Sequence, residues 1–215
     1  MRKSISNYLK TIYEASYAQD GTNNKQIATL LDVLPGSVTE AVGNLEKDGF
    51  VTRQKYHKIT LTAAGYRLVQ DLMYRYRLCE VWLHQAIELP LTEIPEQAWL
   101  MAAINDQELL RRLANKLGLP KQSPFGGRLN LPAFDQQPTS IQSLDQVPVD
   151  TTITLTSYLE TSSLIKYFHQ AGLERGQRLT VTGQTSTFPA ITLMDEAQHE
   201  YMIDKAVARY LYVTG

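Results

Sequence analysis

Pro35-Gly36-Ser37-Val38-Thr39-Glu40-Ala41-Val42-Gly43-Asn44-Leu45-Glu46-Lys47-Asp48-Gly49-Phe50-Val51 is the stretch on which the fold turns. Proline suits the first turn of a helix, where its missing N–H would be unpaired anyway. Val38, Ala41, Val42 and Leu45 recur at one-face spacing, and Gly49 is a natural stop. The run Phe50-Val51-Thr52-Arg53, the polar tip Gln54-Lys55-Tyr56-His57-Lys58 and the run Ile59-Thr60-Leu61-Thr62 read as a β-hairpin. Before Pro35, Asn23 with Gln26 three residues on reads as a capping box opening a helix to about Leu31. Further back, Ile5, Tyr8, Leu9, Ile12 and Tyr13 mark the apolar face of a first helix.

Helix, capped helix, third helix and hairpin in that order make a winged helix-turn-helix over residues 1–62. Such a module needs small polar side chains at the start of the third helix, where base edges and phosphates are within reach. Ser37, Thr39 and Glu40 stand there, with Asn44 and Lys47 further along and Lys55, His57 and Lys58 at the hairpin tip. The plainer alternative is a helical bundle with a solvated polar face. Residues 1–75 carry ten Lys/Arg against seven Asp/Glu, and residues 76–215 eleven against fifteen. A mildly basic head on an acidic body fits a nucleic-acid-binding module on a carrier.

Outward toward the C-terminus, Thr62 caps a long helix to about Ile87. Shorter helices follow over Pro95–Ile104 and Asp106–Leu117. These make a helical dimerisation domain over 63–119. Residues 120–150 are rich in proline and glutamine and read as a linker. From Thr151 the pattern alternates, in Ile153–Thr156, Leu179–Thr182, Ile191–Leu193 and Tyr201–Ile203, with one helix over Leu164–Ala171. That predicts a small β-barrel over 151–215. The fold class is therefore mainly α with small β parts.

Composition excludes other classes. The chain has 215 residues, net charge −1 and 43% hydrophobic residues, enough for a packed core. Its single cysteine, Cys79, forms no internal disulfide and no cysteine cluster for zinc. No apolar run approaches the ~18 residues that a bilayer requires. A cytoplasmic protein without a membrane segment is expected. No Gly-x-Ser-x-Gly, Walker or His-Glu-x-x-His pattern occurs, and the four histidines are scattered, so an enzyme is not expected.

Asn7-Tyr8-Leu9-Lys10-Thr11-Ile12-Tyr13-Glu14, Pro35 to Val42, Leu45 to Val51, Leu61-Thr62-Ala63-Ala64-Gly65 and Ser123-Pro124-Phe125-Gly126-Gly127 together resemble the diphtheria toxin repressor family of iron- and manganese-dependent regulators. The resemblance spans nearly the whole chain. It implies a winged helix, a helical metal-binding and dimerisation domain, and an SH3-like barrel. Carried over by position, most family metal ligands are missing. Family members place Met or Asp before the Tyr-Leu of the first helix, where this chain has Asn7. Their long-helix His falls in the segment Arg75-Tyr76-Arg77; the Glu after it is kept as Glu80. A further His coincides with Pro95, and the ligands of the next helix with Trp99, Ala102 and Ala103.

Replacement ligands are few. Glu80 and His84 are four apart on one helix, a spacing that can bind one metal, with Asp106, Glu108 or Met101 as additional donors; the alternative is an exposed pair on a solvated face. Cys79 reads as packing or a redox sensor. Trp82, Trp99, Tyr74 and Tyr76 read as core or interface, or as an effector pocket. Glu160 and His169 stand where family members sometimes offer polar residues to a metal. The expectation is a DNA-binding regulator, a repressor, acting as a homodimer on a palindromic operator. No metal is expected, and Mn²⁺ or Fe²⁺ enters only through a rearranged site. The alternative of another class is an interaction adaptor that does not bind DNA.

Overall fold

The computed structural model describes residues 3–19, 21–54, 58–136, 142–185 and 189–215. The chain forms two compact units, Met1–Arg75 with Asn130–Gln137, and Tyr76–Leu129 with Pro138–Gly215.

The first unit holds α1 (Lys3–Ala15), α2 (Asn24–Leu31), α3 (Pro35–Lys47), β1 (Val51–Arg53), β2 (Ile59–Leu61) and the start of α4 (Ala63–Gln85). Leu9, Ile12, Ile27, Val38, Val42, Val51 and Ile59 are fully buried and form its core. Asn23 caps α2 by accepting from the Gln26 N–H, as expected. The reciprocal half of the box differs: the Gln26 side chain accepts from the Thr22 hydroxyl at 2.9 Å. Thr22 also pairs with Ile59 through both backbone bonds, 2.9 and 2.7 Å, which fixes the hairpin edge to the segment before α2.

Thr62 caps α4, accepting from the Gly65 N–H at 3.1 Å and donating to the Gly49 carbonyl at 2.7 Å. A side chain at residue 65 would collide with the Phe50 carbonyl, so glycine is what lets α4 start against the turn after α3. Residues 130–136 return to this unit. Tyr66 donates to the Pro132 carbonyl at 3.1 Å, Gln70 donates to it at 2.9 Å, and Phe134 packs on Tyr66 at 5.6 Å.

The second unit holds the rest of α4, α5 (Ile94–Met101) and α6 (Gln107–Lys116), then β3 (Gln142–Ser143), β4 (Thr152–Tyr158), α7 (Ser162–Gln170), β5 (Arg178–Gln184), β6 (Ala190–Asp195), β7 (Glu200–Asp204), α8 (Lys205–Ala208) and β8 (Leu211–Thr214). The six strands pair antiparallel in the order β3-β8-β4-β5-β6-β7. Alternate residues of β4, β5, β6 and β8, with Phe168 of α7, enclose one core, the arrangement of the SH3-like barrel.

Residues 120–150 are not a plain linker, which corrects the expectation drawn from their composition. Phe125, Leu129, Leu144 and Val147 are buried to within 1%. β3 lies inside the segment and pairs with β8, so the sheet begins before Thr151. Proline and glutamine suppress periodicity without preventing burial, because an irregular segment can dock through isolated side chains. Among the described residues no helix is long and apolar enough to cross a membrane.

Candidate nucleic-acid interface and regulatory positions

α3 divides into two faces. Val38, Val42 and Leu45 are buried, while Ser37, Thr39, Glu40, Asn44 and Lys47 are exposed. Ser37, Glu40, Asn44 and Lys47, with Ala41 and Asp48, form one wall of a cleft of about 480 Å³; Ile5 and Tyr8 of α1 contribute to the other wall. Four of the expected side chains are thus brought onto one surface.

Thr39 is exposed but committed. Its hydroxyl donates to the Pro35 carbonyl at 3.0 Å and accepts from Asn24 Nδ2 at 3.0 Å, bonding α2 to α3. Lys58 is half-buried just before β2. Lys55 and His57 lie outside the described residues. Arg53 is the functional candidate that sequence reading passed over. Its Nη2 donates to the Thr39 carbonyl at 3.2 Å and its Nε lies 3.4 Å from Glu46 Oε2. The guanidinium lies over Gly43, where a Cβ would sit at an ordinary contact distance of 3.5 Å from Nη2. Arg53 therefore braces the hairpin against α3. Its position at the end of a β-prone run, one residue before the polar tip, was the available signal.

The hairpin is regular. Val51, Thr52 and Arg53 face Leu61, Thr60 and Ile59, the two threonine hydroxyls meet at 2.9 Å, and the Gln54 N–H donates to the Lys58 carbonyl at 2.8 Å.

The positions to which the resemblance assigns metal ligands have a different chemistry. Tyr76 is 1% exposed and its ring meets Trp99 edge-on at 5.8 Å and 72°. Pro95 and Ala102 are buried, and Ala103 is exposed. An aromatic pair and alanine methyls offer no convergent oxygen or nitrogen donors to a dication. These residues of the second unit do not fit Mn²⁺ or Fe²⁺.

Glu80 and His84 do not form the exposed pair weighed above: Glu80 is fully buried and His84 is exposed. Asp106 is engaged as the cap of α6, accepting from the Leu109 N–H. Glu108 is held by Arg111 and Arg112 at 2.7 Å each, which keep its carboxyl below the usual range. Among the described residues no three His, Cys, Asp or Glu side chains converge. Cys79 is buried.

Glu160 is buried and His169 exposed, so these two are not brought together either. Glu160 Oε1 instead lies 3.3 Å from Arg77 Nε and 3.4 Å from the Ser123 hydroxyl. Burial pushes the nearby Tyr158 phenol above its ordinary value; the Arg175 guanidinium pulls it down, and the Glu160 and Glu80 carboxylates push it up.

A winged helix-turn-helix followed by helices and an SH3-like barrel is the build of a metal-dependent transcriptional repressor. Family models agree: residues 1–59 match the iron dependent repressor N-terminal DNA binding domain, and residues 62–129 the iron dependent repressor metal binding and dimerisation domain. The chain belongs to this family, whose members are transcriptional regulators and not enzymes. It is 27% identical to the iron-dependent repressor IdeR of Mycobacterium bovis over 219 residues, covering 92% of this chain and 95% of that one. It is 24% identical to the diphtheria toxin repressor of Corynebacterium glutamicum over 216 residues, covering 92% and 94%. The solved structure of the manganese regulator SloR superposes with a TM-score of 0.84 at 27% identity, covering 99% of both chains. The metal-dependent transcriptional regulator MtsR superposes at 0.87 and 25% identity, covering 100% of both.

Proposed function

We propose that this protein is a repressor that acts as a homodimer on an approximately palindromic operator and does so without Mn²⁺ or Fe²⁺. Each protomer presents α3 to a major groove, with Ser37, Glu40 and Asn44 near bases and Lys47, Lys58 and the hairpin-tip residues Lys55 and His57 near phosphates. Thr39 serves mainly to hold α3 in place. Residues 1–62 serve as the reading head, 63–119 as the dimerisation part and 142–215, from β3 onward, as the barrel. The observation that carries the metal-independent reading is the Tyr76–Trp99 ring contact, with buried Ala102, at positions where family members keep ligands.

The test is a binding titration on a duplex selected from a random pool. Affinity is expected to be equal in EDTA and in Mn²⁺ or Fe²⁺, and to fall steeply with salt. Loss of binding in EDTA would overturn metal independence in favour of a rearranged site. No salt-dependent binding to any duplex would favour the adaptor.

A further inference from the structure

We infer that Leu34 and Glu40 set which operators the head accepts: Leu34 seats on a thymine methyl group and Glu40 accepts from a cytosine amino group, so a half-site carries these two bases about three base pairs apart. This deepens the proposed DNA reading and rests on it, though not on the question of metal.

The start of α3 is shaped for an outside partner. Leu34 occupies the N-cap, where Ser, Thr, Asp or Asn would accept from an unpaired N–H and steady the helix. It makes no such bond, and it is 77% exposed. Its backbone is nevertheless fixed. The Leu34 carbonyl accepts from the Ser37 and Val38 N–H groups at 3.0 and 3.4 Å, and Asn24 holds Thr39 just beyond them. Gly36, in the first turn, is a second anomaly. Its φ is not left-handed, and a Cβ there would meet nothing within 4 Å, so neither conformation nor packing calls for glycine. Glycine weakens a helix, and its use beside open space fits the close approach of another molecule to the backbone. An apolar side chain held out on a fixed turn, beside bare backbone, suits the thymine C5-methyl, the apolar group that a major-groove edge offers.

Glu40 lies six residues on, about 9 Å along the axis, or nearly three base-pair steps. It is exposed and makes no hydrogen bond or ion pair among the described residues. Its neighbours on α3 differ: Thr39 is bonded to Asn24 and Pro35, and Glu46 is paired with Arg53. A carboxylate facing a polyanion is repelled unless a donor meets it, so it selects by exclusion as well as by attraction. Guanine presents N7 and O6, and thymine O4; all are acceptors that a carboxylate rejects. Adenine presents its N6 amino group with N7 beside it, which sets one carboxylate oxygen against an acceptor. Cytosine presents its N4 amino group alone and is the best match.

The experiment selects a duplex from a random pool with the full chain, in EDTA and in Mn²⁺, and measures affinity by fluorescence anisotropy. The selected half-site should hold a thymine and a cytosine about three pairs apart. Its thymines are then replaced one at a time by deoxyuridine, which removes only the methyl. At one position the replacement should weaken binding about fourfold. Leu34→Ser should lose that sensitivity and melt no lower than the unchanged protein, because serine is the better cap. Glu40→Gln should shift the preference at the cytosine toward adenine by about tenfold, since an amide offers the donor and acceptor that adenine matches. Three results overturn the inference: a deoxyuridine effect that survives in Leu34→Ser, a lower melting temperature for that variant, or an unchanged base preference in Glu40→Gln. A selected site lacking the two bases also overturns it and leaves the protein a DNA-binding regulator. Absence of salt-dependent binding to any duplex would instead sink the DNA reading on which the inference rests.

Discussion

At the scale of single residues, the reading head separates contact from support. Lys47 is exposed at the end of α3, on the same cleft wall as Ser37, Glu40 and Asn44. Its proposed partner is a phosphate, so Lys47→Ala should weaken all duplexes alike and lower the slope of log affinity against log salt by ~0.9. Arg53 is a different case. Its ion pair with Glu46 is partly exposed, at 34% and 43%, and pairs of that kind contribute at most about 1 kcal/mol. Arg53→Ala should therefore move the melting temperature by no more than a few degrees. Binding should still fall several-fold, because the hairpin loses its tie to the Thr39 carbonyl. Calorimetry beside fluorescence anisotropy separates the two effects; a large melting shift with unchanged affinity would make Arg53 a stabilising residue only. Glu40, an acid on a surface facing a polyanion, is compatible with that role as an acceptor from a cytosine amino group.

At the scale of elements, hydrogen-bonded turns decide where the barrel yields. Asp195 at the end of β6 accepts from the His199 N–H at 2.8 Å, the Tyr201 hydroxyl at 3.0 Å and His199 Nδ1 at 3.2 Å. The His199 backbone bond chiefly holds its carboxyl below the ordinary range, against the effect of burial, with Tyr201 and the His199 side chain adding to it. A depressed carboxyl stabilises the fold above its unfolded pKa, near 3.9, and that contribution is lost as pH falls through the lower folded value. The β6–β7 hairpin should thus lose amide protection as the solution is acidified below about pH 4. Asp195→Asn should show a weaker acid dependence in hydrogen exchange; equal acid sensitivity in both would remove Asp195 from the account. Elements with a local signature were legible in the sequence. Asn23 and Thr62 each name a cap, and each caps in the structure. β3 is two residues long, too short to show alternation, and β8 buries three consecutive residues, Leu211, Tyr212 and Val213, rather than alternate ones, so both went unread. The Arg77–Glu160 contact was illegible for another reason. It joins residues far apart in the chain, and no spacing rule on either side announces it. Glu160 drew attention only as a metal donor, and its arginine partner was hidden within a helix.

At the scale of the whole molecule, what remains to be covered is apolar. Leu78, Val81 and Leu83 of α4 are buried within one protomer, so they cannot be the centre of an interface. Ile87, Leu91, Leu100 and Leu109 are 52%, 39%, 54% and 51% exposed, all in the helical part that matches the dimerisation model. Scattered exposed leucines are ordinary on a protein surface, but these lie in one stretch of chain, two between α4 and α5, one on α5 and one on α6, which makes them the candidates for the dimer contact. Two heads on one operator also make the second binding event intramolecular, at an effective concentration near millimolar. The dimer should therefore bind a full palindrome about a hundredfold more tightly than one protomer does. Leu100→Glu and Leu109→Glu would place charges in that contact and should give a protomer of monomer mass by light scattering. Affinity for the full palindrome should fall toward the half-site value, while affinity for an isolated half-site stays unchanged because α3 and the hairpin are untouched. A wild-type protein of monomer mass at micromolar concentration would remove the dimer from the mechanism. Equal loss on half-sites and full sites would show instead that the substitutions had damaged the fold of the reading head.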